Sequence, residues 1–337
     1  MPDGASQLTL GRAVPTTAPL VSIVVRSMAR ASLADALASI AAQDYAHIEA
    51  LVVSACGGTH PRPPATAGPH RVRFVEGDAP LTRPQAANAG LDSAQGEWIT
   101  FLDDDDVLLP SHVSGLIEAQ RNAGDCLVVH TLARARFADG RVESVGQPFA
   151  PIELYQRNFI HLSMAIVARE LVARGCRFDE TLEILQDWDF FIQCAQHTRF
   201  HFEPRRTFEW RADVGTSGAG GGANQNEVRF AKFRDRIYAK WEAQYDALVD
   251  DVAARLADAN DAAKRGDLAG AEAICRDVLA RSQNDPFALN LLAMLQRSAG
   301  RLDDAIATQR LACAVRPDDT SLAHNLALLQ AALARRR

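Results

Sequence analysis

The chain has 337 residues, of which 47% are hydrophobic and 23% charged, and its formal net charge is −6 at pH 7. That length predicts about two domains, and the composition is that of a folded protein, which excludes disorder over most of the chain. The acidic balance argues against a nucleic-acid-binding protein, and from the apolar runs we expect neither a membrane-spanning helix nor a signal peptide.

The first hundred residues alternate strand and helix patterns. Residues 1–19 are polar, which is typical of a loose N-terminal lead-in. β-Branched apolar runs predict strands and apolar residues at helical spacing predict helices, in the order strand 21–25, helix 32–40, strand 48–53, strand 72–75, helix 84–94 and strand 98–102. This alternation predicts βαβ units and therefore an α/β fold with a mostly parallel sheet.

The alternation of strand and helix patterns is less clear further along the chain. Residues 125–210 have shorter apolar stretches, which indicate mixed α/β structure. Five glycines lie between residues 215 and 226, which predicts a flexible segment. Beyond them, Phe230, Phe233 and Ile237 begin an apolar stripe that continues to Leu248 and predicts a helix. We therefore place the first domain at residues 20–249.

Residues 250–337 contain an internal repeat. Six pairs of identical residues lie 34 positions apart, namely Gly266 and Gly300, Leu268 and Leu302, Ala271 and Ala305, Leu292 and Leu326, Ala293 and Ala327, and Leu295 and Leu329. This helix–turn–helix period is the signature of tetratricopeptide repeats, and a plain helical bundle with chance spacing is the alternative. We predict a small all-α domain of two repeats. Because about three repeats are usually needed for independent stability, it should pack on the first domain, on a partner or on a second copy.

The strongest chemical signal is the run of Asp103, Asp104, Asp105 and Asp106 directly after the strand at 98–102. Carboxylates crowded at a strand end repel one another unless a cation or hydrogen-bond donors neutralise them. Ligands bind beyond the carboxyl ends of parallel strands, and oxygen ligands suit Mg²⁺ or Mn²⁺, which also hold substrate phosphates. We therefore favour a metal–phosphate site over a solvated acidic turn.

Two other acidic motifs compete for the same residues. An EF-hand beginning at Asp103 is excluded, because it would need Gly and Glu where the chain has Leu108 and Ser114. A phosphatase of the haloacid dehalogenase type places Asp-x-Asp-x-Val after a strand, as Asp103, Asp105 and Val107 do. That motif normally follows the first strand rather than the fourth and needs a lysine partner, so the phosphatase is the weaker enzyme alternative.

Several segments resemble the family 2 glycosyltransferases. The resemblance spans about residues 20–245 and is most specific from Gly96 to Pro110, where a strand runs into the four aspartates. Weaker matches are 21–27, 37–45, 48–53 and 86–91, and the run Gln186-Asp187-Trp188-Asp189 is similar to that family's Glu-Asp-Trp-Asp segment. The resemblance implies a GT-A fold, in which a nucleotide-binding half precedes an acceptor-binding half.

The resemblance also implies roles at the reacting centre. Asp103 and Asp105 would be the two acids of an Asp-x-Asp motif that binds Mg²⁺ or Mn²⁺, and Asp103 or Asp104 would contact the ribose or a metal-bound water. Asp187 would be the general base, because an acceptor hydroxyl is a poor nucleophile until a carboxylate takes its proton. Trp188 would either stack on an acceptor sugar or be an ordinary core tryptophan.

The resemblance implies three further residues in nucleotide binding, and the glycine-rich run adds a fourth. Arg26 and Ser27 would lie against the nucleotide base, and Arg83 near the base or the diphosphate. Arg211 immediately precedes the glycine-rich run. We predict that residues 215–222 order as a lid over the diphosphate and that Arg211 touches it.

Three functions remain open at this point. The first is a metal-dependent inverting glycosyltransferase that moves a sugar from a nucleotide-diphosphate donor to a glycan, lipid-linked or protein acceptor. This enzyme is the leading hypothesis, because Asp105 and Asp187 are retained. The second is a degenerate nucleotide-sugar-binding scaffold that assembles partners through its repeats. It is supported by the absence, near Cys56, of the acid that the family carries after its second strand, and by Ala87 in place of the family's arginine. The phosphatase is the third.

Location and partners follow from composition and repeats. The six cysteines form no CxxC pair, which predicts reduced thiols and therefore a cytoplasmic protein. The protein could also be peripheral at the inner face of the membrane. The repeats predict a protein partner or self-association, since such arrays present concave surfaces.

Overall fold

The structure, a computed structural model, describes residues 18–212 and 226–335. The strands are β1 (Val21–Ser27), β2 (Ile48–Ser54), β3 (Thr66–Ala67), β4 (His70–Val75), β5 (Trp98–Asp103), β6 (Val107–Leu108), β7 (Val128–Arg136), β8 (Val142–Val145), β9 (Ala165–Ala168) and β10 (Phe200–Arg211). The helices are α1 (Leu33–Ala41), α2 (Arg83–Ser93), α3 (His112–Asn122), α4 (Pro151–Gln156), α5 (Arg169–Ala173), α6 (Gln186–Ala195), α7 (Glu227–Lys264), α8 (Leu268–Arg281), α9 (Pro286–Ser298), α10 (Leu302–Val315) and α11 (Thr320–Ala334).

Within the described residues all strands join one sheet, in the order β3-β4-β2-β1-β5-β9-β7-β10-β6, with β8 paired to β7. The pairs β2–β4, β1–β2, β1–β5 and β7–β10 are parallel, whereas β9 runs antiparallel to both of its neighbours. Every residue of β1 and β2 is buried, as expected for β-branched strands covered on both faces. The α/β class with a mostly parallel sheet is confirmed.

The register of the central strands brings the polar ends together. Arg26 lies opposite Asp103 and Ser27 lies opposite Ser54. Because parallel neighbours end at the same edge, the loops after β1, β2 and β5 meet there. The acidic run after β5 therefore lies beside the ends of β1 and β2.

The predicted apolar stripe belongs to α7, a helix of 38 residues. Phe233 and Ile237 are each 1% exposed and pack on the α/β core. The boundary that we predicted between residues 249 and 250 falls inside this helix, and the division into domains stays a prediction. None of the helices in the described part of the chain has the length and apolar character needed to cross a membrane.

The C-terminal helices show the 34-residue period as geometry. α8 and α10 begin at Leu268 and Leu302, while α9 and α11 begin 34 residues apart at 286 and 320. Gly266 precedes α8 and Gly300 precedes α10, with φ of 84° and 79°, a left-handed conformation that favours glycine. Two helix pairs therefore repeat, and the predicted all-α character of this region is confirmed.

The helix pairs pack on the α/β part, which was one of the three predicted arrangements. Ile152 of α4 forms a buried apolar cluster with Val252, Val278 and Ala288. Arg316 Nε donates to Glu153 Oε1 at 2.5 Å. The helical region is thus joined to the sheet-bearing part by both apolar and charged contacts.

Candidate active site

A cavity of about 380 Å³ lies at the carboxyl edge of the central strands. The charged and polar side chains that line it include Arg26, Arg83, Asp103, Asp105, Asp106, Asn158, His161, Asp187, Arg211 and Arg234. The acidic residues after β5 and Asp187 of α6 therefore face one space, although they come from different halves of the chain. This juxtaposition is what a transfer between two bound substrates requires.

Three of the four aspartates form one cluster. Carboxylate oxygens of Asp103, Asp105 and Asp106 lie within 4.8 Å of one another. Burial opposes ionisation of Asp103, but the guanidinium groups of Arg26, whose Nη2 is 2.6 Å from Asp103 Oδ1, and of Arg83 hold its pKa below the usual value. Burial, followed by the charge of Asp103, raises the pKa of Asp105 and raises that of Asp106 well above normal. The carboxyl groups of Asp105 and Asp106 therefore resist ionisation beside the charged Asp103.

This donor set fits a divalent cation. The cluster supplies hard oxygen ligands, which suit Mg²⁺ or Mn²⁺. A cation among the three carboxylates would also offset the burial and the mutual repulsion that raise the pKa of Asp105 and Asp106.

Asp104 does not face the cavity, which corrects the expectation of a ligand contact. Its side chain is fully buried. Oδ2 accepts hydrogen bonds from Met28 N at 2.7 Å and from Ser27 Oγ at 3.0 Å, and Oδ1 accepts one from Arg30 Nη1 at 2.6 Å. Ser27 is also fully buried and is not among the residues that line the cavity, so its contact with a nucleotide base stays a prediction. The two side chains fix the loop that follows β1, and Arg26 of the same strand end reaches the cavity.

Asp187 is placed by a tight entry into α6. Leu185 precedes the helix with φ of 61°, a conformation that costs a non-glycine residue free energy and often marks a functional site. Asn158 Nδ2 donates to Asp187 Oδ2 at 3.0 Å. That hydrogen bond orients the carboxylate into the cavity, as a general base requires.

Trp188 is a core residue in this structure. Its side chain is 2% exposed, and its Nε1–H donates to the carbonyl oxygen of Leu154 at 2.5 Å. Although Trp188 is among the residues that line the cavity, this burial favours the second of the two expectations, a core tryptophan, over a sugar-stacking face.

A second cavity of about 370 Å³ adjoins the first. Arg26, Arg83 and Asp103 line both cavities. The remaining lining of the second cavity combines apolar residues with polar and charged ones, namely Met28, Ala55, Leu81 and Ala86 with Arg30, Thr82, Glu183 and Arg229. The second cavity thus offers both apolar surface and charged groups beside the acidic cluster.

Arg83 and Arg211 occupy different environments. Arg83 begins α2 directly after a capping box formed by Thr82 and Gln85, and burial lowers the pKa of its guanidinium. Arg211 donates its backbone N–H to Asp106 Oδ1 at 3.1 Å, while its Nη2 lies 3.4 Å from Asp35 Oδ2. The predicted lid at 215–222 lies outside the described residues.

The cavity residues that sequence reasoning missed include Asn158 and His161, and it gave Asp106 no separate role. Asn158 and His161 flank Phe159 and Ile160 in the segment between α4 and β9. The available signal was polar side chains in an otherwise apolar stretch, which is a weak signal because buried polar groups usually serve structure.

Residues 22–167 match the family model "Glycosyl transferase family 2". The match runs from β1 to β9 and covers less than half of the chain, and the α/β fold of this part is of the GT-A type. The matched segment contains the acidic cluster and ends before Asp187.

Individual proteins with similar sequences share 30% or less of their residues with this chain over the aligned part. The protein y4gI of Sinorhizobium fredii is 30% identical over 217 residues, which are 60% of this chain and 23% of that protein. The succinoglycan biosynthesis protein ExoO of Rhizobium meliloti is 28% identical over 187 residues, which are 50% of this chain and 54% of that protein. The chain thus spans about half of ExoO and less than a quarter of y4gI.

One solved structure aligns with most of this chain. The mannosyltransferase PcManGT of Pyrobaculum calidifontis, in complex with GDP-Man and Mn²⁺, is 20% identical with a TM-score of 0.49, and the alignment covers 96% of this chain and 89% of that one.

Proposed function

We propose that this protein is a metal-dependent, inverting glycosyltransferase that uses a nucleotide-diphosphate sugar. The observation that carries the proposal is the single cavity shared by the Asp103, Asp105 and Asp106 cluster and by Asp187. The match to the family 2 model over residues 22–167 supports it.

Each group has a task in the transfer. Asp187 takes the proton of the acceptor hydroxyl, whose oxygen forms a bond to the anomeric carbon of the sugar from the side opposite the diphosphate. The bond from that carbon to the diphosphate oxygen breaks, and its electron pair stays on the leaving nucleoside diphosphate. Mg²⁺ or Mn²⁺ held by Asp103, Asp105 and Asp106 would act as a Lewis acid toward that charge. Arg83 lies where it can bind the diphosphate, and the second cavity takes the nucleoside.

The acceptor is proposed to be a glycan or a lipid-linked glycan. ExoO is named for succinoglycan biosynthesis, which supports this class without identifying the sugar. We also propose that α8 to α11 are tetratricopeptide-type repeats, which the exact 34-residue offset of the helix starts supports, and that they provide a surface for a partner.

A nucleotide-sugar-binding protein without activity is the second candidate. Ala55 lines the nucleoside cavity at the end of β2, where the resemblance led us to expect an acid. The same experiment separates the two candidates, because a binder would hold the donor without breaking it.

The test is Asp187→Asn. We expect donor hydrolysis and sugar transfer to fall by roughly 10²- to 10⁴-fold, because the general base is lost, while nucleoside diphosphates still raise the melting temperature. Asp92→Asn is the control, since Asp92 pairs with Arg177 at the surface with 61% of its side chain exposed. Wild-type turnover in Asp187→Asn, or no nucleotide-induced shift in the wild-type protein, would contradict the proposal.

A further inference from the structure

His161 lines the cavity, and no motif of the sequence assigns it a task. It stands directly before a 3₁₀ turn (Leu162–Met164), and its Nδ1 accepts a hydrogen bond from Ser163 N at 3.2 Å. The imidazole stacks on Phe208 at 5.0 Å between ring centroids and lies 5.5 Å from the ring of Trp210. Backbone on one side and aromatic rings of β10 on the other therefore fix its orientation.

The hydrogen bond to Nδ1 determines which nitrogen carries the proton. Because Nδ1 accepts, the neutral ring must hold its hydrogen on Nε2. Burial lowers the pKa of His161 more strongly than the carboxylates of Asp103 and Asp187 raise it, so the neutral form is favoured. Among the described residues no hydrogen-bond partner of Nε2 is found. The ring therefore offers one fixed N–H donor to whatever occupies the cavity.

The electrostatic surroundings indicate which part of a substrate this donor meets. The charged groups that act on the ring are Asp103, Asp187, Arg26 and Arg83, and among the two carboxylates Asp103 acts more strongly. The ring thus shares its cavity with Asp103, Arg26 and Arg83, where the diphosphate is expected.

We propose that His161 is a catalytic residue whose Nε2–H binds the diphosphate of the donor and stabilises the negative charge that develops on the leaving oxygen. This inference rests on the proposed glycosyltransferase function. No proton is transferred: the electron pair of the broken bond stays on the diphosphate, and the imidazole remains neutral. A preorganised donor aimed at developing charge is a common source of rate enhancement.

Two variants separate the donor from the structural contacts of the ring. His161→Phe keeps an aromatic ring against Phe208 and Trp210 but has no nitrogen. His161→Asn keeps an acceptor for Ser163 N–H but is too short to present a donor at the position of Nε2. Neither variant removes a group of the acidic cluster or the proposed base.

The experiment compares nucleoside diphosphates with monophosphates by calorimetry, using UDP, UMP, GDP and GMP in the presence of EDTA. For the diphosphate that binds the wild-type protein, we expect the affinity to fall by roughly 10- to 100-fold in both variants, the usual value of a hydrogen bond to a charged group. Affinity for the matching monophosphate should not change. With metal and donor added, kcat should fall more than KM for the donor rises.

Three results would overturn the inference. Equal losses for diphosphate and monophosphate, together with a lower melting temperature, would mean that His161 only supports the fold. Unchanged diphosphate affinity in both variants would remove the proposed contact while leaving the glycosyltransferase function intact. Failure of the wild-type protein to bind either diphosphate would overturn the proposed function as well.

Discussion

At the scale of single residues, His130 shows that not every buried histidine serves the cavity. It lies fully buried in β7, with its ring 5.2 Å from that of Phe202 and 6.4 Å from that of Phe200. Neither ring nitrogen has a hydrogen-bond partner among the described residues. Burial lowers its pKa to about 3, with a smaller contribution from nearby His201. The folded protein therefore holds His130 neutral.

This burial predicts sensitivity to acid. The unfolded chain protonates His130 near its ordinary pKa of about 6.5, whereas the folded chain does so only near 3. The free energy of unfolding must therefore decrease as the pH falls from about 6.5 toward about 3. We expect His130→Phe to lose less stability than the wild-type protein between about pH 8 and about pH 5, measured as the urea midpoint.

The control for this prediction is His324→Ala, because His324 is an exposed histidine of α11. His112 is also buried, and burial lowers its pKa to about 4, so part of the acid sensitivity should remain in every variant. Equal losses in the wild-type protein and His130→Phe would show that His130 does not contribute.

At the scale of elements, the helix that carries the proposed base is held by a buried carboxylate. Asp189 of α6 has no exposed side-chain surface. It accepts hydrogen bonds from Trp241 Nε1 at 2.8 Å and Lys240 Nζ at 2.9 Å, both on α7, and from Gln193 Nε2 at 2.7 Å. The position of Asp187 in the cavity thus depends on contacts between α6 and α7.

Replacing Asp189 should lower the free energy of unfolding. In Asp189→Ala the indole N–H of Trp241 loses its fully buried acceptor, while Lys240, with 37% of its side chain exposed, keeps its ion pair with Asp179 at 2.9 Å. Leaving a donor without its buried acceptor typically lowers the free energy of unfolding by about 1–3 kcal/mol. The matched control is Asp235→Ala, which removes a carboxylate with 62% of its side chain exposed from an ion pair within α7 and should cost less than about 1 kcal/mol. Both values can be measured by urea denaturation, and similar losses in the two variants would contradict the prediction.

The elements themselves were largely predictable from the sequence. Periodicity placed β1, β2, β5 and the start of α7, because long apolar runs leave few alternatives. It missed the short strands β3 and β8, whose residues are largely exposed. The orientation of Asp104 and the burial of Trp188 were not predictable, because they depend on the loop after β1 and on the carbonyl of Leu154, which is 34 positions away.

At the scale of the whole molecule, the repeats are held against the α/β part through a buried acid. Glu153 of α4 is 3% exposed. Its partner Arg316 follows α10 and also lies over the ring of Phe287 at 4.8 Å. Asn284 Nδ2 adds a hydrogen bond to the carbonyl oxygen of Phe149 at 2.8 Å. These contacts come from both repeats, so the repeat region docks as a unit.

Neutralising Glu153 should loosen this docking. In Glu153→Gln the guanidinium of Arg316 loses a charged partner, and we expect faster amide hydrogen exchange across α8 to α11 and a lower melting temperature. The change should correspond to roughly 1–3 kcal/mol, as for a hydrogen bond between charged groups. Asp261→Asn is the control, because Asp261 pairs with Lys264 at an exposed position. Unchanged exchange in Glu153→Gln would mean that the apolar cluster alone holds the repeats.

The uninterrupted course of α7 has a geometric consequence. Its N-terminal part borders the cavity through Phe230 and Arg234, and Val252 near its other end packs against the repeats. A helix of 38 residues is about 57 Å long. Adding or removing one residue in its middle would turn one end by about 100° relative to the other and shift it by about 1.5 Å. The number of residues in α7 therefore fixes both the distance and the rotation between the cavity and the repeats. Insertions in this helix keep its two ends aligned only when they add close to a whole number of turns.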